Sequence, residues 1–366
     1  MSITKVPRNH GHAWKVRWYE ESGRQRTKSF TRKEDAETFE AKVTLAKRRG
    51  DLAELDAGRV LLKTFVPQWR TLHVEQRLAP ATQKAYADIV DRILLPRLGH
   101  LQLRRITPKV VSEMAAGLSA VGMGGPMLRK TLAVLQGIMR AAVLQGRITA
   151  NPVPAVKKPP QRRKRVVTPV SPTEVERMRS DLLRAGRVRD ATLISVLAYA
   201  GLRPQEAMAL TWGDIGAQTI QVDKALSFGE VKETKTRRDR TVRLLTPLVV
   251  DLNEWRSQTA GDTSSPSLVF PKKSGGAWSD PDYRNWRSRI YTPAAKAAGV
   301  QDSTRPYSLR HSFASLLFQE GRNPAEIAEQ MGHSLQTLID TYTHVLEELR
   351  GQPAQSAEAL IYQARP

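Results

Sequence analysis

The chain has 366 residues, no cysteine, and a net charge of +22 from 58 Lys and Arg residues against 36 Asp and Glu residues. This length predicts two or three domains, and the missing cysteines exclude disulfides, thiolate metal sites and a cysteine nucleophile, which fits a cytoplasmic protein. The chain has no run of 18 apolar residues and no apolar segment at its N-terminus, so neither a membrane helix nor a signal peptide is expected. The positive charge favours a polyanionic partner, and nucleic acid is favoured over a membrane surface because lipidation motifs and a basic amphipathic tail are missing.

Residues 1–55 are predicted to form a small N-terminal unit that binds DNA. Trp14, Val16 and Trp18 alternate with basic residues, which is the pattern of a strand with one buried face. A β-hairpin or small sheet backed by one helix can place a β-ribbon in a DNA groove, and a solvated accessory domain is the alternative. The predicted elements are a strand at 12–20, a turn at 21–24, a return strand at 26–30 and a helix ending at Gly50.

Residues 60–152 are predicted to form an all-helical bundle in which nothing looks catalytic. A long helix that begins near residue 81 is expected to stop at Pro96 and Gly99. Thr107 and Pro108 supply an N-cap and a first-turn proline for the following helix. A proline-rich, basic segment follows at 153–169, which predicts a linker. Such a linker is expected to lie along DNA phosphates, with a solvated tail as the alternative.

Residues 170–350 are the largest predicted unit, mostly helical with a small antiparallel sheet. Ser171 and Glu174 match a capping box, so a helix begins there. Strands are predicted at 212–215, 219–225 and 240–245. The fold class is therefore multidomain and mainly α, with an N-terminal hairpin or sheet plus helix, a helical bundle, and a mixed α+β domain.

Two arginines in apolar surroundings are candidates for an anion site. Arg203 follows a run that should be core, and Arg310 lies inside an apolar helix. A buried guanidinium is costly unless it is paired, and Glu206 is the expected partner of Arg203. The planar guanidinium matches two phosphate oxygens, whereas structural salt bridges are the alternative. No phosphate-binding loop or clustered metal ligands are present, so neither ATP nor a metal ion is expected.

Tyr342 lies on the apolar face of a predicted helix that begins after Ser334, and a tyrosine on such a face is ordinarily core. However, Tyr342 is one of four motifs that occur in the chain in the same order as in the tyrosine recombinase family. Through these motifs the chain resembles that family, in particular phage or mobile-element integrases. The four motifs are Arg203 in GLRPQEAMAL, Arg310 in YSLRHSF, His333 in MGHS and Tyr342 in TYTH. The resemblance covers about 180 residues.

The resemblance implies a mechanism. Arg203 and Arg310 would bind the scissile phosphate and stabilise its transition state, and His333 would add a hydrogen bond. The phenol of Tyr342 would attack phosphorus and form a 3′-phosphotyrosyl link. Because that link conserves the phosphodiester energy, neither ATP nor a metal ion would be needed.

A lysine is the expected proton donor to the leaving 5′-hydroxyl group. Lys235, in the turn before the strand at 240–245, matches the family position best, and Lys232 is the alternative. Arg237 and Arg238 in the same turn are expected to contact backbone phosphates.

The chain departs from the family pattern at Tyr307, where the family usually has histidine. A phenol can still donate a hydrogen bond to phosphate, but it is a poor base at neutral pH. His311 and His344 are interpreted as packing residues or as residues behind the site.

The same resemblance implies partners. Residues 60–152 look like the family's core-binding domain and residues 1–55 like its arm-binding domain, so the expected ligand is double-stranded DNA with core and arm sites. A homotetramer on DNA is expected, with a host DNA-bending protein and an excisionase or directionality factor as further partners. The protein would act in the cytoplasm of a bacterial host cell, in association with the nucleoid. The short tail at 351–366 is a candidate for docking on a neighbouring subunit.

Three functions are compatible with this resemblance. A site-specific integrase is the leading one, because a second DNA-binding unit can bridge separate sites. A DNA-binding regulator that keeps the fold without chemistry is disfavoured by the intact residue set. A topoisomerase-like or Xer-type enzyme would use the same tyrosine chemistry, although Xer-type recombinases usually lack the N-terminal unit.

Overall fold

The structure is a computed structural model that describes residues 2–7, 11–19, 25–49, 58–160, 167–227, 229–233, 239–259, 263–301, 303, 305–349 and 351–365. The chain divides into two compact units, Met1–Arg163 and Lys164–Pro366, and each is described by itself. The division falls within the segment 153–169. Helices dominate both units, so the prediction of a mainly α fold is confirmed. None of the helices in the described part of the chain is long and apolar enough to cross a membrane.

The first unit begins with a three-stranded antiparallel sheet and one helix. The predicted hairpin is confirmed, because β2 pairs with β3, and Val16 and Trp18 are buried as the alternation indicated. The predicted turn at 21–24 lies outside the described residues. The strand that pairs with the other edge of β2 was missed, because only its Ile3 packs on the core. The elements are β1 (Ser2–Pro7), β2 (His12–Tyr19), β3 (Gln25–Phe30) and α1 (Lys33–Arg49).

The rest of the first unit is a helical bundle with its own apolar core. Thr107 caps α5 by accepting a hydrogen bond from the Val110 amide, as predicted. The predicted stop at Pro96 is wrong, because the chain stays helical to Leu98. Pro96 lies at the start of the last turn, directly after a wider π-type turn, where a missing amide donor costs little. The helices are α2 (Leu62–Trp69), α3 (Pro80–Ile89), α4 (Leu95–Leu98), α5 (Pro108–Ala120) and α6 (Gly125–Leu144).

The second unit is built around one large apolar core that runs from Val170 to Ile361. Ser171 and Glu174 form the predicted capping box at its first helix. The helices are α7 (Pro172–Arg184), α8 (Val188–Tyr199), α9 (Pro204–Ala207), α10 (Thr246–Gln258), α11 (Asp280–Trp286), α12 (Thr292–Ala297), α13 (Leu309–Gln319), α14 (Pro324–Met331), α15 (Leu335–Glu348) and α16 (Ala357–Ala364).

Two small antiparallel pairs replace the single sheet that was predicted in this unit. The segment 212–215 is wrong as a strand: it holds a 3-10 turn, because the Asp214 carboxylate accepts hydrogen bonds from the amide and hydroxyl groups of Thr211. The predicted strand at 219–225 is broken at Asp223. The pairs are β4 (Thr219–Val222) with β7 (Arg240–Arg243), and β5 (Lys224–Ser227) with β6 (Glu230–Glu233).

The C-terminal tail carries α16, which packs on α7, α10 and α13 of its own chain. Ile361 is fully buried there, and the Arg365 guanidinium contacts the Asp251 carboxylate at 2.9 Å. The tail is thus part of the fold of the second unit in this structure.

Candidate active site

The connection between α14 and α15 presents the groups of the site. Gly332 ends α14 with a φ of +58°, a left-handed conformation that suits glycine. A side chain at this position would also meet the guanidinium of Arg240 at about 3.3 Å. Ser334 then caps α15 by accepting a hydrogen bond from the Thr337 amide. His333 is therefore held between two helix ends.

Arg310 lies at the centre of the site and is fully buried on α13. Its guanidinium donates to the carbonyl oxygens of Gly201 and Met331, and one of its nitrogens lies 3.2 Å from Nε2 of His333. Burial, reinforced by the charge of Arg203, lowers the pKa of Arg310 to about 10. The buried Nε of Arg310 has no partner among the described residues, so donor capacity remains for an anion.

Arg203 precedes α9 and also contacts the end of α14. It donates to Glu206 at 2.6 Å and to the carbonyl oxygen of Gly332 at 3.1 Å. Burial acts to lower the pKa of Arg203, but Glu206 and the neighbouring Tyr307 phenol outweigh it, so the pKa is raised. About a third of the Arg203 side chain is exposed, at 35%. This guanidinium is accordingly charged and accessible to a ligand.

Glu206 is the buried carboxylate that holds two arginines in place. Besides Arg203 it accepts two hydrogen bonds from Arg240, at 3.0 Å and 2.6 Å. Burial would raise the pKa of Glu206, but these guanidinium groups overcome that effect and lower it to about 2. Arg240 also donates to the carbonyl oxygen of Gln330 at 2.9 Å, which joins β7 to the end of α14.

Arg240 is a residue that the sequence reasoning missed. It begins the strand RTVR, in which Arg240 and Val242 are both buried while Thr241 between them is exposed. The alternation was a usable signal, because it places Arg240 on the apolar face of the strand. A buried arginine requires a carboxylate partner, and Glu206 is the one that the fold supplies.

His333 lies beside Arg310 in a site with excess positive charge. Burial and then the charge of Arg310 lower the pKa of His333 to about 4. Its Nδ1 is buried without a partner among the described residues. His333 is thus neutral at pH 7, with one ring nitrogen near Arg310.

Tyr342 is fully buried on α15, on the apolar face that its periodicity indicated. Its ring contacts Phe318, and its hydroxyl oxygen lies 2.5 Å from Nδ1 of His311. Burial raises the pKa of Tyr342 well above its usual value, although Arg310 opposes the shift. His311, interpreted from the sequence as a packing residue or as a residue behind the site, thus contacts the Tyr342 hydroxyl directly.

The remaining predicted residues are placed as follows. Tyr307 is 40% exposed, and its ring meets the edge of His311 at 5.6 Å between centroids. His344 hydrogen-bonds the carbonyl oxygen of Val167, away from Tyr342. Lys232, on β6, forms an ion pair with Glu230 at 2.8 Å. The preferred lysine, Lys235, and the two arginines of its turn, Arg237 and Arg238, lie outside the described residues.

The arrangement can bind an oxyanion, because Arg203, Arg310 and the neutral His333 meet around the end of α14. Two guanidinium groups at one point match a phosphodiester in charge and in hydrogen-bond geometry. Within the described ranges, no group of three or more His, Asp or Glu side chains could hold a metal ion.

Known proteins resemble the chain in sequence. Residues 170–348 match the model of the phage integrase family. Tyrosine recombinase XerC of Methylobacterium sp. (strain 4-46) is 27% identical over 310 residues, which cover 80% of this chain and 92% of that protein. XerC of Xanthomonas axonopodis pv. citri (strain 306) is 29% identical over 265 residues, 72% of this chain and 80% of that protein.

The domain at residues 170–348 belongs to the tyrosine recombinase family. As a member of that family it is a tyrosine-type DNA recombinase, and the resemblance drawn from the four sequence motifs is confirmed.

Solved tyrosine recombinases share the fold as well. A Tn1549 transposon integrase fragment in complex with transposon right end DNA has a TM-score of 0.64 at 19% identity, covering 80% of this chain and 99% of that chain. A lambda integrase dimer bound to a COC′ core site has a TM-score of 0.64 at 16% identity, covering 96% of each chain. At these identities the likeness concerns the fold.

Proposed function

We propose that this tyrosine recombinase integrates or excises a phage or mobile element by cleaving and rejoining DNA through a 3′-phosphotyrosyl link to Tyr342. One observation carries the chemistry: two guanidinium groups and a neutral histidine meet at the end of α14, and α15 brings in a buried tyrosine directly after it. The other candidate residues act around this centre.

Arg203 and Arg310 bind the non-bridging oxygens of the scissile phosphate. Both groups are already fixed by carbonyl oxygens and by Glu206, so little reorganisation is needed when negative charge builds up in the transition state. His333, neutral and beside Arg310, donates a further hydrogen bond to the same phosphate. Tyr307, next to Arg203, contributes its hydroxyl where the family usually has histidine.

Tyr342 supplies the nucleophile and Lys235 the acid. The phenol oxygen attacks phosphorus, and the 5′-oxygen leaves with a proton from Lys235, with Lys232 as the alternative donor. Lys232 already pairs with Glu230, so this ion pair would have to open before Lys232 could donate the proton. Rejoining reverses these steps on a new 5′-hydroxyl group.

The N-terminal sheet favours an element integrase over an Xer-type recombinase. It adds a basic unit with its own core before the helical bundle. The fold match with the lambda integrase dimer covers 96% of this chain, so it extends into the N-terminal unit. In this proposal residues 1–55 bind arm sites and residues 60–152 bind core sites, and four copies assemble on DNA. A host DNA-bending protein and an excisionase are the expected helpers.

Xer-type resolution of DNA is the second candidate, because the curated relatives at 26–29% identity bear XerC and tyrosine recombinase names. It shares the chemistry and differs in needing no arm sites. Deletion of the N-terminal unit distinguishes the two functions, because an Xer-type recombinase would still recombine DNA and an element integrase would not integrate.

The chemistry is tested with duplexes selected from a random library for binding to the full-length chain. Nicked suicide versions of these duplexes should trap a covalent protein–DNA adduct in the wild type, and Tyr342→Phe should trap none. Because Phe keeps the ring contacts of Tyr342, the variant is expected to lose only the hydroxyl hydrogen bond, about 1 kcal/mol of stability. If the wild type binds these duplexes tightly but forms no adduct, the chain is instead a DNA-binding regulator that keeps the fold without the chemistry.

A further inference from the structure

His311 contacts the atom that the proposed reaction makes nucleophilic. Its Nδ1 lies 2.5 Å from the Tyr342 hydroxyl oxygen, and the two ring centroids are 5.6 Å apart. No second hydrogen bond to that hydroxyl is present within the described ranges. The imidazole is therefore the direct partner of the phenol.

His311 contacts Tyr307, the position at which the chain departs from the family pattern. His311 follows Tyr307 by four residues, so both side chains lie on the same side of the chain as it enters α13. The edge of one ring meets the face of the other at a centroid distance of 5.6 Å. The chain thus lacks a histidine at Tyr307 but has one a single helical turn later, against Tyr342.

We propose that His311 is the catalytic base of this chain and takes the Tyr342 proton during cleavage. The inference rests on the proposed function and deepens it, because it assigns the proton acceptor of the same site.

The proposed step balances in atoms and electrons. The O–H bond of Tyr342 breaks and its proton moves to Nδ1 of His311 while the phenol oxygen forms a bond to phosphorus. The bond from phosphorus to the 5′-oxygen breaks, and that oxygen keeps the electron pair and takes a proton from Lys235. On rejoining, the imidazolium of His311 returns its proton to Tyr342.

The charges around His311 explain why a bound phosphate is needed for this transfer. Burial and then the charge of Arg310 lower the pKa of His311 to about 4, so the free imidazole is neutral and a weak base. Other titratable groups against it are the phenols of Tyr307 and Tyr342, and Glu174 and Arg305 line the adjoining cavity. A phosphodiester bound to Arg310 offsets that positive charge and makes His311 more basic only when substrate is present.

The other groups of the site fit the role less well. His333 lies 3.2 Å from Arg310, and no hydrogen bond joins it to Tyr342 in the described ranges. Tyr307 carries a phenol, which is no stronger as a base than Tyr342 itself. His311 and Tyr307 line a cavity of about 280 Å³ through which water can reach the imidazole.

The test compares two leaving groups on one selected duplex, after the cleaved phosphate has been mapped with the wild type. In the second duplex, sulfur replaces the bridging 5′-oxygen, and a thiolate leaves without a proton because thiol pKa values are near 8.5. Lys235→Met should therefore be slow on the oxygen duplex and recover on the sulfur duplex. His311→Asn should stay about 100-fold or more below the wild type on both, because the proton of Tyr342 still lacks an acceptor.

Asn keeps a hydrogen-bond acceptor near Tyr342 but cannot take its proton, so His311→Asn separates the base from a packing role. His344→Asn, on the same helix as Tyr342, is the matched control and should cleave at the wild-type rate. Cleavage by His311→Asn at the wild-type rate, or its recovery on the sulfur duplex, would overturn the inference and leave the proposed function standing. Absence of any adduct in the wild type would instead overturn the proposed function, and the inference with it.

A second measurement does not depend on the variant folding or on DNA. In ¹⁵N-histidine spectra of the full-length wild type at pH 7, Nδ1 of His311 should be unprotonated and its proton should lie on Nε2. A proton on Nδ1, or a charged ring, would contradict the assignment.

Discussion

At the residue scale, the site depends on one buried carboxylate that serves two guanidinium groups. Glu206 fixes Arg203, which is partly exposed at the proposed phosphate site, and Arg240, which joins β7 to the end of α14. Pairs of this kind contribute little net stability when intact, but removal of one partner leaves a buried charge without compensation. Glu206 is thus a positioning residue, and its loss should lower both the stability of the fold and the rate of DNA cleavage.

We therefore expect Glu206→Gln to lower the free energy of unfolding by about 3–5 kcal/mol and to reduce adduct formation strongly. Urea denaturation and the suicide-duplex assay measure the two effects. The control is Glu254→Gln, an exposed glutamate on α10, which should change stability by less than about 0.5 kcal/mol. Equal stabilities of the two variants would show that Glu206 does not hold the arginines.

The same carboxylate predicts a pH dependence. The folded pKa of Glu206 is depressed to about 2, so its stabilisation is complete above its unfolded pKa near 4.5 and is lost as pH falls toward 2. The stability gap between wild type and Glu206→Gln should narrow by about 1 kcal/mol between pH 5 and pH 3.5. A gap that widens on acidification would contradict this assignment.

At the element scale, local signals in the sequence were enough to place helix starts. The capping residues Thr107 and Ser171 act on amides three residues away, so a short window of sequence contains the interaction. The bundle, the N-terminal hairpin and the mainly helical second unit followed from such patterns and from periodicity.

The strands and contacts that the sequence did not predict depend on residues that are far apart in the chain. Strand β1 is only weakly patterned, and β6 (EVKE) has charges at three of its four positions and becomes a strand only by pairing with β5. Arg240 finds its carboxylate 34 residues earlier, and His311 meets Tyr342 31 residues later. Such contacts are set by packing of the whole unit, which periodicity does not describe.

The tail helix α16 gives a prediction at this scale. Ile361 is fully buried, so Ile361→Ala should lower the unfolding free energy of the full chain by about 2–4 kcal/mol. Its neighbour Tyr362 is 47% exposed, and Tyr362→Ala is the matched control with an expected cost below about 1 kcal/mol. Similar small losses for both variants in denaturant melts would mean that α16 contributes little to the core.

At the scale of the whole molecule, the net charge of +22 and the added N-terminal unit favour an enzyme that binds DNA at more than one place. Residues 1–55 contain 13 of the Lys and Arg residues. Their removal should leave cleavage of the core duplex intact, abolish integration, and make the salt dependence of DNA affinity less steep. Integration assays and salt titrations measure this outcome. Undiminished integration by the truncated chain would favour the Xer-type alternative.

The central claim is that Tyr342 becomes covalently joined to DNA, and the most direct measurement is mass spectrometry of the trapped adduct after protease and nuclease digestion. We predict that the α15 peptide carries a nucleotide through a 3′-phosphate on Tyr342, that the released strand ends in a 5′-hydroxyl group, and that Tyr342→Phe gives no modified peptide. A nucleotide on any other residue, or a released 5′-phosphate, would contradict the account.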